Sequence, residues 1–254
     1  MQVPSFDLTD KIALVTGGDK GIGQGIAVGL AQAGASVAVT TRHLSRAEET
    51  VRMVEALGRP AMAVELDVTQ VSMIQPAVAQ VLKRFGRIDI LVNNAGYNFP
   101  QKPFDVTEEV WDAIYDTNVK GLFFVSQAVG KVMAARGGGK IVNIASQSGL
   151  VAMPKRVAYC SSKAAVIHIT RVLALEWAPY KILVNGVAPT FVKTALTAPM
   201  LDDPEFARYV NEMILLDRLG TPEDVAAAVI YLASPAADMV TGHTITVDGG
   251  WTIK

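Results

Sequence analysis

An apolar run, Lys11–Thr16, passes without a spacer into Gly17-Gly-Asp-Lys-Gly-Ile-Gly23, and that turn opens a stretch, Gln24–Ala33, with the composition of a helix. Strand, glycine turn and helix in this order begin a βαβ unit. They also meet the needs of a phosphate: glycines let the backbone approach its oxygens, and the first amides and the dipole of a helix favour its charge. The spacing, Gly17-x-x-x-Gly21-x-Gly23, differs from the commoner G-x-G-x-x-G. On its own it also fits an ordinary tight turn.

Runs rich in Val, Ile and Ala recur along the chain between helical patterns. Strands are predicted over 11–16, 36–41, 61–66, 88–92, 139–145, 181–187 and 243–247, and helices near 21–33, 45–57, 70–85, 107–135, 157–178 and 222–233. The strands are apolar throughout rather than alternating, which marks strands covered on both faces. The pattern predicts an α/β, doubly wound Rossmann fold: a seven-stranded, mostly parallel sheet with helices on both faces, in one domain over 1–254. The least regular stretch, 188–219, holds Pro189, Pro199 and Pro204 just past a strand's C-terminal end. Ligands of open α/β sheets bind at such ends, so this stretch is predicted to be a lid over the substrate.

Only 19% of residues are charged and half are apolar, with a formal net charge of −1. That leaves apolar surface for subunit contacts and no basic footprint for nucleic acid. Cys160 is the single cysteine, which excludes an internal disulfide, fits a reducing compartment and reads as a small packing residue. No apolar run reaches the ~18 residues that span a bilayer, and the N-terminus lacks a leader pattern. A cytoplasmic protein without membrane partners is expected. His168 and His243 have no companion at metal-ligand spacing, and no metal is expected.

Tyr159 and Lys163 stand four residues apart in a run with an Ala-rich continuation. On a helix they share a face, bringing the ammonium within reach of the phenol. A free tyrosine titrates near ~10; an adjacent cation should lower that value and prepare the group for proton transfer to or from an oxygen. The same spacing also arises by chance among solvated side chains.

Taken in order, the glycine turn, Asp67 in Leu66-Asp-Val68, Asn93-Asn-Ala-Gly96, Asn118 in Thr117–Gly121, Ser146, the Tyr159/Lys163 pair and Asp248-Gly-Gly250 resemble the short-chain dehydrogenase/reductase family from Leu8 to Trp251. The resemblance implies a catalytic set of Asn118, Ser146, Tyr159 and Lys163. Tyr159 would be the acid in ketone reduction and the base in alcohol oxidation, with Ser146 donating to the substrate oxygen. Lys163 would bond the nicotinamide ribose, and Asn118 would anchor the Lys163 side through a water. The implied cofactor site comprises Gly17, Lys20, Gly21, Ile22, Gly23, Thr41 and Arg42, then Asp67 and Val68 at the adenine edge. Asn93, Ala95 and Gly96 would follow along the adenosine ribose, with Tyr159, Lys163, Pro189, Thr190, Val192 and Thr194 at the nicotinamide end. The family usually has glycine where Thr190 stands. A residue with a Cβ cannot take positive φ cheaply, so a different local shape is expected there.

An acid about 20 residues beyond the glycine turn holds the ribose hydroxyls of NAD. Thr41 occupies that place, Arg42 follows it and Lys20 lies nearby, so NADP(H) is favoured over NAD(H). The substrate, a small alcohol or ketone, would be lined by Tyr97, Asn98, Gln147, Ser148, Met153 and the lid. Lys155, Arg156 and Lys193 read either as partners of an anionic substrate or as solvated loop charges. The Asp248–Trp251 ending and the basic pair resemble gluconate-type sugar-acid dehydrogenases. The general sequence is also similar to 3-oxoacyl-carrier-protein reductases, whose basic dock would fall to Lys120, Lys131 and Arg171. A catalytically silent dinucleotide-binding sensor or scaffold, and a dehydratase or epimerase with retained cofactor, are the readings from other classes. Surplus apolar residues on 107–135 and 157–178, Phe123, Phe124, Val166 and Leu173 among them, together with the family resemblance, predict a homotetramer.

Overall fold

The computed structural model describes residues 3–194 and 197–254. A 7-stranded sheet runs in the order β3-β2-β1-β4-β5-β6-β7. Its strands are β1 Ile12–Val15, β2 Ser36–Thr41, β3 Ala61–Glu65, β4 Ile90–Asn93, β5 Gly139–Ile144, β6 Ile182–Pro189 and β7 Thr244–Val247. The predicted sheet is therefore present, and where a mostly parallel one was expected every pairing is parallel. Strand order reverses between β1 and β4, where Val15 is in register with Val92. The crevice at that switch point is where ligands of such sheets sit.

Apolarity without alternation is explained by cover on both faces. Ala13 and Val15 pack with helices α1 Gly21–Gln32 and α9 Pro222–Ala233, through Ile26, Leu30, Val225 and Val229. Leu14, between them, faces the other side with Val78 and Val81 of α3 Val71–Phe85, Val129 and Met133 of α5 Leu122–Ala135, and Leu173 of α6 Val157–Trp177. Burying each such side chain contributes about 1.5–3 kcal/mol, and a one-residue slip of β1 would exchange its two faces.

Two predicted helices are subdivided. Residues 45–57 become a 3-10 turn Leu44–Ala47 followed by α2 Glu48–Ala56. Residues 107–135 become α4 Glu108–Tyr115, a π-helical turn Asp116–Gly121 and α5. The N-terminus of α4 is capped by Thr107, whose hydroxyl accepts from the Val110 amide at 3.4 Å.

The stretch expected to be irregular contains two helices, α7 Ala198–Leu201 and α8 Pro204–Met213; Ala195 and Leu196 lie outside the described residues. Asp203 caps α8, accepting from Glu205 at 3.0 Å and Phe206 at 3.4 Å, with Pro204 in the first helical position where its missing N–H costs nothing. Beneath α8 lies a cluster apart from the sheet's two cores, made of Met153, Val210, Ile214 and the buried Trp251. Phe191 and Tyr209 close on the Trp251 ring, each with a 5.7 Å centroid separation. Cys160 packs against this cluster, as a small packing residue should. Among the described residues no helix is long and apolar enough to cross a membrane.

Candidate active site

A cleft of about 760 Å³ opens at the C-terminal ends of β1, β2, β4, β5 and β6. Its floor at one end is the glycine turn. Gly17 and Gly21 have φ of +59° and +55°, and a Cβ on Gly23 would lie 2.1 Å from the Gly17 carbonyl oxygen. Only glycine fits there, because α1 begins directly against the turn. Asn94 fixes that geometry, its side-chain amide donating to the carbonyls of Thr16 at 3.0 Å and Gly17 at 2.9 Å. The N-terminus of α1 carries no side-chain cap and no acidic residue in its first turn. Those features fit a dinucleotide: its phosphates would find free amides, a positive helix end and a surface no side chain fills.

Of the residues implied for the cofactor, Gly17, Lys20, Gly21, Ile22, Gly23, Thr41, Arg42, Asp67, Val68, Ala95, Gly96, Pro189, Thr190, Val192 and Thr194 line the cleft. Asn93 does not. Its amide points beneath the sheet and donates to Ser126 Oγ at 2.8 Å and Asn143 Oδ1 at 2.9 Å, since Asn93 shares the strand face of Leu91. Asn94 lines the cleft in its stead. The sequence reading also missed Arg46, which lines the cleft along with Lys20 and Arg42. Thr41 is buried, its hydroxyl donating to the His43 carbonyl at 3.2 Å.

Thr190 adopts no positive φ. Pro189 still pairs with Val247 in β7, and the Thr190 amide continues that ladder by donating to the Val247 carbonyl at 3.1 Å. The extended backbone that replaces the usual glycine thus suits a residue with a Cβ. The hydroxyl of Thr190 is buried at the cleft wall without a partner among the described residues, and an unbonded buried hydroxyl is costly unless a ligand meets it.

At the other end Ser146, Tyr159 and Lys163 come together on one wall. Ser146 follows β5 and donates to Gln147 Oε1 at 2.6 Å; Tyr159 and Lys163 are one turn apart on α6. Lys163 is buried and its Nζ donates to the Ile144 carbonyl at 2.8 Å. It stands 5.8 Å from the centre of the Tyr159 ring. Burial pushes the Lys163 ammonium down to about 8. The expected lowering of the phenol by that ammonium is not what the geometry gives. Burial raises Tyr159 above its ordinary value, with the Ser146 hydroxyl and the Arg156 charge pulling the other way. The bare site therefore holds a protonated phenol.

Asn118 lies in the π turn, a deviation often found at functional sites. Its Oδ1 accepts from the Tyr97 amide at 2.7 Å, while its Nδ2 donates to the Tyr97 carbonyl at 2.9 Å and Ser162 Oγ at 3.0 Å. The direct contacts of Asn118 thus tie the loop after β4 to α6 at the residue preceding Lys163. Tyr97, Asn98, Gln147, Ser148 and Met153, the residues expected around the substrate, also line the cleft. Arg156 departs from the solvated alternative: it is buried and lines the cleft, whereas Lys155 and Lys193 are exposed.

Residues 17–252 match the family model described as Enoyl-(Acyl carrier protein) reductase. The chain is 42% identical over 251 residues to an NAD-dependent glycerol dehydrogenase of Listeria innocua serovar 6a, covering 98% of this chain and 96% of the relative. It is 39% identical to a 2-dehydro-3-deoxy-D-gluconate 5-dehydrogenase of Dickeya dadantii, over 100% of both chains. Its structure superposes with a TM-score of 0.95 on a gluconate 5-dehydrogenase of Burkholderia cenocepacia J2315 in complex with NADP and tartrate, at 36% identity and 99% coverage of each chain.

Proposed function

Since the chain belongs to the short-chain dehydrogenase/reductase family, we propose that Tyr159 is the group through which its cleft exchanges a proton with substrate. The protein is an NAD(P)-dependent oxidoreductase that interconverts a secondary alcohol and a ketone by hydride transfer. The observation that carries the assignment to Tyr159 is the meeting of Ser146, Tyr159 and Lys163 on one wall of a cleft whose far end is the Gly17–Gly23 turn.

The bound dinucleotide supplies or accepts the hydride. Gly17, Gly21, Ile22 and Gly23 would hold its phosphates, Asp67, Val68, Ala95 and Gly96 its adenosine half, and Pro189, Thr190, Val192 and Thr194 its other end. Tyr159 gives a proton to the ketone oxygen in reduction and removes one from the alcohol in oxidation. Ser146 exchanges its bond to Gln147 for one to that oxygen, where developing charge strengthens it. Lys163 faces the cleft beside the phenol and, at pH values where it keeps its charge, steadies the phenolate formed in passing during proton transfer. Asn118 positions Tyr97 and the Ser162 turn of α6, and so the helix that carries both Tyr159 and Lys163. Helices α7 and α8 act as the lid on one domain, with Thr197 before α7 and Met200 within it reaching the cleft.

NADP(H) is the cofactor we assign, supported by Lys20, Arg42 and Arg46 along the cleft and by Thr41 in the place of an acid; a guanidinium matches a phosphate bidentately. The substrate is a polyol or a sugar acid, in keeping with the relatives' names. The carrier-protein reductase reading is less supported, since Lys120 of its dock is held by Asp116 at 3.1 Å. Reduced-dinucleotide absorbance, followed for a panel of polyols, sugar acids and acyl thioesters with each cofactor, tests these assignments together. Turnover of the first two classes with tighter NADP(H) than NAD(H) is expected. Turnover of thioesters alone would overturn the substrate class, and preference for NAD(H) the cofactor.

A homotetramer is proposed from the apolar groove on α5 and α6 formed by Phe123, Ile169, Val172 and Leu173, which needs cover. Light scattering is expected to give four times the 27.0 kDa chain mass; a monomer would remove the proposal. Residence in the cytoplasm rests on the lone, unpaired Cys160, and cell fractionation tests it.

A further inference from the structure

Arg156 begins α6 one turn before Tyr159 and is 7% exposed. Its Nη1 donates to the Pro154 carbonyl at 3.2 Å, its Nη2 approaches Met200 Sδ at 4.0 Å, and its Cζ lies 5.1 Å from the centre of the Phe206 ring. None of the ion pairs among the described residues includes it; they join Arg87 to Asp89, Lys120 to Asp116, Lys140 to Asp238 and Arg218 to Asp224. A guanidinium carries five N–H donors and no acceptor, so among the described residues a single carbonyl, a thioether and a ring leave most of its donors unanswered. A buried cation without a counter-charge is expensive to keep. Consistently, burial lowers its proton affinity. It also lines the cleft beside Tyr159.

We propose that Arg156 is a specificity-determining residue that binds a carboxylate of the substrate, so that this site selects hydroxy acids and keto acids over neutral polyols. The proposal rests on the reading of the cleft as a dehydrogenase site and deepens it, because the named relatives include both a glycerol and a deoxygluconate enzyme. A carboxylate pairs with the guanidinium fork through two parallel bonds, while an alcohol elsewhere on the same carbon chain meets Tyr159. The Oδ1 of Asn98, buried in the same cleft without a partner among the described residues, accepts from a further hydroxyl of such a chain. A neutral polyol leaves the cation unpaired, and sites built around buried polar groups reject ligands that leave them unpaired. Phe206 and Met200 belong to α8 and α7, so a ligand on Arg156 also touches the elements that cover it.

The test compares L-tartrate with L-threitol, which share a four-carbon skeleton and differ in their carboxylates, by calorimetric titration in the presence of cofactor. In the wild type tartrate is expected to bind more tightly. In Arg156→Gln the ratio of the two dissociation constants is expected to shift against tartrate by roughly 10²-fold, with Arg156→Lys in between. If the Gln variant does not fold, the Lys variant carries the comparison, since it keeps the charge and loses the fork. An unchanged ratio, or no tartrate binding by the wild type, overturns the proposal. D-gluconate and D-glucitol kinetics separate the two readings: turnover of both with no dependence of their ratio on Arg156 removes this inference alone. Absence of turnover with every member of the polyol and sugar-acid panel, while tartrate still binds more tightly than threitol through Arg156, removes the dehydrogenase reading of the cleft alone.

Discussion

Tyr159→Phe is expected to lose about 10²–10⁴-fold in turnover, the range spanned by a positioned proton donor, while its affinity for the dinucleotide stays close to that of the wild type. The substitution deletes one hydroxyl and keeps the ring, so the packing of α6 is preserved. No other group on that wall can take over: Ser146 has an ordinary hydroxyl already given to Gln147, and Lys163 donates to Ile144. Tyr97 is the other phenol lining the cleft, so retention of most activity would mean that Tyr97 or a water relay protonates the substrate. The wild type carries a second signature of the same group. Burial holds the phenol above its ordinary value, and its base form therefore appears only as pH rises. Alcohol oxidation should quicken steadily into the alkaline range, whereas ketone reduction, which uses the protonated form, should not. Steady-state rates in both directions across that range check it.

Lys163→Met is expected to lower turnover by about 10²–10³-fold, the scale of removing one fixed electrostatic contact to a reacting group, and to weaken dinucleotide binding as well. An unchanged dissociation constant would remove the cofactor contact from the account. The same variant has a measurable effect on folding. The ammonium falls from 10.5 to about 8 on burial. Below about pH 8 the folded and unfolded chains both carry the charge, and the cost of burying it is present in full. Between about 8 and 10.5 the unfolded chain holds its proton while the folded chain has released it, so folding becomes more favourable as pH rises. The displacement corresponds to ~3 kcal/mol. Relative to Lys163→Met, the wild type should gain stability of that order from pH 8 to about 10 in chemical denaturation. A flat difference would mean that water reaches the amine.

Most of the architecture was readable because the strands are apolar on both faces and the helices are amphipathic or capped. Part of what escaped had no local signature, and part had one in a cap or in strand register. The π turn at Asp116–Gly121 leaves the chain helical on both sides, so the pattern over 107–135 looks unbroken although Asn118 sits in a wider turn. Helix α7, Ala198–Leu201, is too short for periodicity, whereas α8 is amphipathic and Asp203-Pro204 spells out its start. Asn93 and Asn94 are identical in type, and only strand register separates the one that bonds Ser126 from the one that clamps Gly17. That register was available: Leu91 and Asn93 are two apart and must face the same way. The burial of Arg156 could not be read from a Lys-Arg pair, because it depends on Phe206, fifty residues later in the chain, folding over it.

The apolar knot of Met153, Val210, Ile214 and Trp251 is separate from the layers that cement the sheet. Mutational drift can therefore reshape what the enzyme accepts without weakening the platform that performs the chemistry. Laboratory libraries aimed at new specificity should therefore be confined to the positions in or beside that knot that reach the cleft, Met153, Phe191 and Met200, leaving the sheet's two cores intact.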